Sequence, residues 1–310
     1  MLLSVVIPSF NCAGLLARAV RSAHSLASGG VEVIVVDDGS TDATPQVCGE
    51  LAVRYPSLRV IRRVNGGLSA ARNTGMDAAN GEFIFLLDAD DELIPFDLSL
   101  LEQFEGDVLR VGVEEILIDG SRSLRLQRSV ATSWAYVYRR SFIVANQLRF
   151  AEGLIHEDML FTIQALLAAR QVAATDVLAY RYIRRPGSIT QQASYASRRR
   201  RVASEMVIAR ELTALTNAHP EVDLWLWTSG VIDYGWNSGQ VADSRRLAWR
   251  LLVGECRFFL KYRLWGLYRS RSEVRWRLRV AATRFLFLRD PSSMGGPARG
   301  TRAAPGQMNH

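Results

Sequence analysis

Across the first 90 residues, short apolar runs alternate with segments of helical spacing, and this alternation restricts the possible folds more than any other feature. Residues 2–7 and 31–36 are apolar and rich in β-branched side chains. Between them, residues 13–27 carry Leu15, Leu16, Ala19, Val20 and Ala23 at helical spacing, so the three pieces read as a β-α-β unit. A second helix is expected after Asp38-Gly39-Ser40-Thr41-Asp42, whose Ser, Thr and Asp oxygens suit an N-cap and whose Pro45 suits a first turn. A strand at 58–61, a helix at 68–79 behind Gly66-Gly67, and a strongly apolar strand at 83–87 continue the pattern. Strands that alternate with helices imply a mostly parallel sheet covered on both faces, an α/β/α sandwich.

Past Asp91 the alternation loosens. Strands are expected at 108–116 and 135–138 around a turn at Asp119-Gly120, then a helix at 157–170 and an extended segment at 172–182. From Arg198 the pattern is long and helical and holds six of the seven tryptophans. Residues 291–310 are rich in Gly, Pro and Ala without periodicity, which is the composition of a disordered tail. The expected organisation is a main domain at 1–195, a basic aromatic helical region at 196–290, and that tail.

Charge divides the chain in the same place. Residues 1–197 hold 18 basic and 22 acidic side chains, and 198–310 hold 20 basic and 9 acidic. Lys261 is the sole lysine, so arginine is the default cation and its abundance says little about phosphate. No run approaches the ~18 apolar residues of a membrane span, and the opening apolar run stops at Pro8 without a basic leader, as expected of a cytoplasmic chain. Cys12, Cys48 and Cys256 are odd in number and lack a CxxC, and the four histidines lack metal-ligand spacing.

In open parallel sheets, ligands bind beyond the carboxyl ends of the strands. The turns at those ends are Pro8-Ser9-Phe10-Asn11, Asp37-Asp38-Gly39-Ser40 and Asp88-Ala89-Asp90-Asp91. Any one of them could be a helix cap or a solvated turn, but three in order place carboxylates on one edge. Clustered carboxylates repel unless a cation sits among them, and a hard divalent ion takes oxygens from one or two carboxylates and from substrate phosphates. A dinucleotide site is excluded, because no GxGxxG follows the first strand, and no P-loop is present.

The runs SVVIPSFN, VIVVDDGSTD, NGGLSAARNTG and GEFIFLLDADD together resemble the nucleotide-binding half of the family 2 inverting glycosyltransferases of the GT-A fold. The resemblance implies a nucleotide-binding half at 1–100 and an acceptor half at 101–195. It puts Pro8, Phe10 and Asn11 at the start of the nucleotide pocket and makes Asp38 the carboxylate that reads the base imide N–H. Gly67 and Arg72, with Asn73, fall beside the nucleotide and the acidic triplet. Asp88, followed by Ala89, would contact the ribose or a metal-bound water, and Asp90 would ligate Mn2+ or Mg2+. In GLIHEDMLFTIQAL, Asp158 matches the general base, with Glu157 as the alternate; His156 could contact the nucleotide or be structural. Acids at a helix start are also a common structural arrangement. Arg184, Arg185 and Ser188 resemble the loop that closes over the donor diphosphate, or they form an exposed turn.

The implied reaction moves a sugar from a nucleotide diphosphate, uridine before other bases, to a hydroxyl of a glycan, a lipid-linked saccharide or a small metabolite. The alternatives are a nucleotidyltransferase acting on sugar phosphates and a non-catalytic nucleotide-sugar-binding protein. From Arg257 to Arg289 ten basic residues and one acid interleave with eight aromatic rings. Such a stretch suits the surface of an anionic membrane, or a helical region packed on the domain or on a second copy as a homodimer. Nucleic acid is not an expected partner, because the acidic half carries no recognition motif.

Overall fold

A computed structural model describes residues 1–26, 30–124, 132–185 and 195–219. The elements run β1 (Leu3–Ser9), α1 (Ala13–His24), β2 (Val31–Asp37), α2 (Thr44–Arg54), β3 (Leu58–Arg62), α3 (Leu68–Ala78) and β4 (Phe83–Leu86). Beyond them come β5 (Glu92–Leu93), α4 (Ser99–Glu102), β6 (Val108–Ile116), β7 (Arg122–Leu124), a 3-10 turn (Ser133–Ala135) and β8 (Tyr136–Arg139). The unit closes with α5 (Arg140–Ala145), α6 (Glu157–Ala168) and β9 (Val172–Ile183). Residues 1–192 form one compact unit and a second begins at Ala193, where α7 (Tyr195–Ala218) is its described part. The basic aromatic stretch and the tail lie outside the described residues, and no helix among those described is long and apolar enough to cross a membrane.

The sheet order is β3-β2-β1-β4-β8-β6-β9-β5, with β7 beside β6. It is parallel from β3 through β4 and mixed beyond. β1, β2 and β4 are buried along their whole length, which is why they read as mostly apolar runs, with Ser4 and Glu32 buried against each other through a 2.6 Å hydrogen bond. Right-handed crossovers put α1 and α2, which touch each other, on one face. The return from β3 to β4 carries α3 to the other face, against β1 and β2. Together these layers give the expected GT-A-type α/β/α sandwich.

The switch in direction lies between β1 and β4, and Pro8 marks it. Leu87 donates to the Val6 carbonyl at 2.9 Å, so Val6 faces β4 and Pro8, two residues on, faces the same way. Proline has no N–H to continue the ladder. Pairing stops there, at the position where open sheets bind ligands.

Elements the sequence left unread are short. β5, α4, β7, the 3-10 turn and α5 have six residues or fewer, too few for either periodicity to show. The cap expected for α2 also differs. Thr44 donates its N–H to Asp42 Oδ1 at 2.9 Å, but the Ser40 hydroxyl accepts from the Asn11 N–H at 3.0 Å and serves the neighbouring turn instead. β9 pairs with β6 through a register shift at Gly112, where a Cβ would come within 2.9 Å of the Val177 carbonyl.

Gly75 of α3 lets that helix sit down on the sheet, for an added Cβ would lie 2.2 Å from Val6 Cγ1. Val6 is fully buried and cannot retreat. Gly75→Ala is expected to destabilise the unit by about 1–3 kcal/mol, as overpacking does, with the midpoint of urea unfolding as the measurement.

Candidate functional site

The turns after β1, β2 and β4 lie at the carboxyl edge of adjacent parallel strands. Asn11, in the left-handed region at φ 47°, accepts from the Thr41 N–H at 2.8 Å and the Asp42 N–H at 3.3 Å, tying the turn after β1 to the turn after β2. Phe10 beside it is 49% exposed. Asp38 is buried, and its oxygens accept from the Gly66 N–H at 3.0 and 3.2 Å and from the Gly67 N–H at 2.7 Å, with Arg63 at 3.2 Å. In this structure Asp38 therefore holds the turn that precedes α3, in which Gly67 takes φ 89°. Asp37 caps its own turn through the Ser40 N–H.

Arg72 is the centre of the site. It is 2% exposed, donates through Nη2 to Asp88 Oδ1 and through Nη1 to Glu157 Oε1, both at 2.7 Å, and lies over the Phe150 ring at 5.1 Å. Burial opposes its charge, but Asp88, Glu157 and Asp158 outweigh burial and hold the proton more firmly than in an ordinary arginine. One guanidinium thus joins α3, the end of β4 and the start of α6. Its neighbour Asn73 does not face the triplet: its amide donates to the Phe150 carbonyl at 3.0 Å and accepts from the Phe150 N–H at 2.9 Å. That clamp keeps the ring under Arg72, with Phe161 stacked behind it at 4.0 Å.

At the start of α6 the two candidate acids differ. Glu157 is buried against Arg72. Asp158 is partly exposed, and among the described residues its one hydrogen bond is from the adjacent Met159 N–H at 3.0 Å. Burial, followed by the charges of Glu157 and Asp88, raises the proton affinity of Asp158 above that of a free carboxylate, with Arg72 pulling the other way.

The triplet itself is strapped from several sides. Asp88 pairs with Arg72, Ala89 is buried, and the Asp90 carbonyl accepts from Arg18 Nη2 at 2.7 Å. The Asp90 carboxylate takes both Nε and Nη2 of Arg185, at 2.8 and 2.7 Å. Arg184 points elsewhere, to the buried Glu115. Ser188 lies outside the described residues.

Asp88, Asp90 and Asp91 each bring a carboxylate oxygen within 4.8 Å of the others. Asp91 is nonetheless no free ligand: it is 1% exposed, Oδ1 accepts from the Ile183 N–H at 2.8 Å and Oδ2 from the Tyr180 hydroxyl at 2.7 Å. The same hydroxyl accepts from the Asp88 N–H at 3.3 Å. Burial and then the charges of Asp88 and Asp90 push Asp91 up to about 8, with the hydrogen bonds from Ile183 and Tyr180 pulling the other way. Asp91 and Tyr180 bind β9 to the triplet, a role the sequence reading did not assign. Asp88 and Asp90, with side chains 25% and 29% exposed, are the two hard oxygen donors left partly exposed at this edge. They fit a divalent ion that completes its shell from phosphate and water, and the guanidinium now on Asp90 marks a place that calls for positive charge.

Residues 4–137 match the family model of Glycosyl transferase family 2, so this segment is a family 2 glycosyltransferase domain. The Uncharacterized glycosyltransferase YibD of Escherichia coli (strain K12) is 29% identical over 58% of this chain and 60% of its own length. The Succinoglycan biosynthesis protein ExoO of Rhizobium meliloti (strain 1021) is 31% identical over 60% and 62%. The chain spans less than two thirds of these relatives' length. Among solved structures, S. aureus TarS 1–349 in complex with UDP-GlcNAc superposes with a TM-score of 0.60 at 22% identity, over 92% of this chain and 81% of that one. The mannosyltransferase PcManGT of Pyrobaculum calidifontis, in complex with GDP-Man and Mn2+, gives 0.51 at 16% identity, over 92% and 87%. Both share the fold.

Arg72→Met is expected to cost about 3–5 kcal/mol in chemical denaturation, because it leaves Glu157 buried without a partner. Adding Glu157→Gln should recover part of that loss, whereas strictly additive costs would show that the two side chains do not act as a pair.

Proposed function

We propose that this family 2 glycosyltransferase domain moves a sugar from a uridine diphosphate donor to a hydroxyl of a saccharide acceptor, with inversion at the anomeric carbon and Asp158 as general base. The observation that carries the assignment of the base is the division of labour at the start of α6: Glu157 is occupied by Arg72, while Asp158 is partly exposed and has its proton affinity raised. A base whose pKa lies nearer the working pH holds an abstracted proton better than an ordinary carboxylate does. The choice of donor is supported by the exposed Phe10 ring, a platform for a flat base, and by the UDP and UDP-GlcNAc complexes of a protein that shares the fold. A saccharide acceptor is supported by the polysaccharide role in the name of the ExoO relative.

In the proposed reaction the acceptor oxygen forms its bond to the anomeric carbon on the face opposite the nucleotide, and its proton passes to Asp158. The bond to the diphosphate oxygen breaks with its electron pair on the leaving group. Asp90, with Asp88 beside it, would hold a divalent cation, which supplies charge stabilisation to the departing diphosphate. Arg72 holds Asp88 and Glu157 in place, and so sets where Asp158 stands. Phe10, Asn11 and the Asp38-anchored Gly66-Gly67 turn line the nucleotide side.

Asp158→Asn should leave binding of UDP nearly unchanged and lower sugar transfer by about 100- to 10,000-fold, while Glu157→Gln should cost less. Normal turnover by Asp158→Asn would remove it as the base. Because the base acts ionised and its pKa is raised, activity should fall as pH drops towards and below that pKa, and the acid limb of a pH–rate profile would report it. Asp90→Asn should abolish the Mn2+ dependence of UDP binding in calorimetry, and unchanged affinity would refute its role with the metal.

A further inference from the structure

The two arginines after β9 do different things. Arg184 binds Glu115, a buried residue of β6, and so belongs to the wall of the sheet. Arg185 brings both Nε and Nη2 to one oxygen of Asp90, Oδ2, at 2.8 and 2.7 Å. Its position is fixed from below: the Ile183 N–H is held by Asp91 Oδ1, and Asp91 is held in turn by Tyr180. Each of the three carboxylates has its own partners. Asp88 has Arg72, Asp91 has the Ile183 N–H and the Tyr180 hydroxyl, and Asp90 has Arg185.

These arrangements are not equally replaceable. The Arg72 side chain is 2% exposed and that of Arg185 is 39% exposed, so the Arg185 contact is the one that can open at small cost. Arg185 holds Oδ2 of Asp90, and a divalent ion bound at the same carboxylate would set its charge against the guanidinium. If the ion enters alone, the guanidinium loses its partner. If it enters with a diphosphate, the same guanidinium meets phosphate oxygens, which suit it as well as a carboxylate does.

We infer that Arg185 is a built-in stand-in cation that competes with the divalent ion for Asp90 and transfers to the donor diphosphate, so that metal and nucleotide bind this site cooperatively. The inference rests on the proposed metal role of Asp90. Its signature is a pair of opposite effects from one substitution, which loss of a simple structural contact would not give.

The test is isothermal calorimetry on the full chain with Mn2+ alone, and with UDP in the presence and absence of Mn2+. Arg185→Gln should tighten Mn2+ alone by about two- to fivefold, the worth of a half-exposed ion pair, and should weaken UDP in the presence of Mn2+. Arg184→Gln should leave the affinity for Mn2+ alone unchanged. By reciprocity, the factor by which Mn2+ enhances UDP binding should equal the factor by which UDP enhances Mn2+ binding, and should shrink in Arg185→Gln. Unchanged or weaker binding of Mn2+ alone by Arg185→Gln would overturn the inference, as would unchanged binding of UDP with Mn2+. Asp90→Asn separates the two ideas: if it binds Mn2+ as the unsubstituted chain does, the metal reading of Asp90 fails first.

Discussion

A buried guanidinium between two carboxylates holds the site together. Arg72 reaches Asp88 at the end of β4 and Glu157 at the start of α6, residues 16 and 85 positions away in the chain. A charge taken so far from water is tolerated only if its partners and geometry are fixed, and most of the nearby structure fixes them. Asn73 clamps the backbone of Phe150, Phe150 lies under the guanidinium, and Phe161 backs the ring. The relative placement of the proposed metal-binding strand end and the proposed base thus depends on one side chain that need not touch either substrate.

Much of the parallel half could be read from the sequence because its causes are local. β1, β2 and β4 are buried on both faces and so appear as apolar runs, and the polar turns after them fall at the carboxyl edge as strand direction requires. The acidic triplet and Arg72 were legible for the same reason, since short runs of sequence carry them. What escaped the sequence was partnership. Asp38 and Asn11, expected at the nucleotide, also bind neighbouring turns, and Asn73 turns to Phe150. The role of Asp91 depends on Tyr180 and Ile183, about ninety residues on, and no local pattern encodes a pairing at that distance. The register shift at Gly112 that sets β9 against β6 is equally a property of two strands and not of one.

The acidic edge also shows three ways of making a carboxylate tolerable beside its neighbours. Asp88 is held by a buried cation, Asp91 by hydrogen bonds from the Tyr180 hydroxyl and the Ile183 N–H, and Asp90 by a partly exposed cation. Their costs of disruption rank in the order of burial, because solvent screens the exposed pair and not the buried ones. The most exposed of the three is therefore the natural point of exchange with an incoming ligand, and the other two give it a rigid surround.

Gly75 and Arg72 lie three residues apart on α3, so they share a face of the helix. The hydrogen in place of a side chain at Gly75 lets the helix axis approach Val6, and that approach sets the depth to which the guanidinium one turn earlier can reach. Gly75 is thus a spacer for the acidic edge: the helix-to-sheet distance is a ruler for charge placement, and one missing methyl group calibrates it.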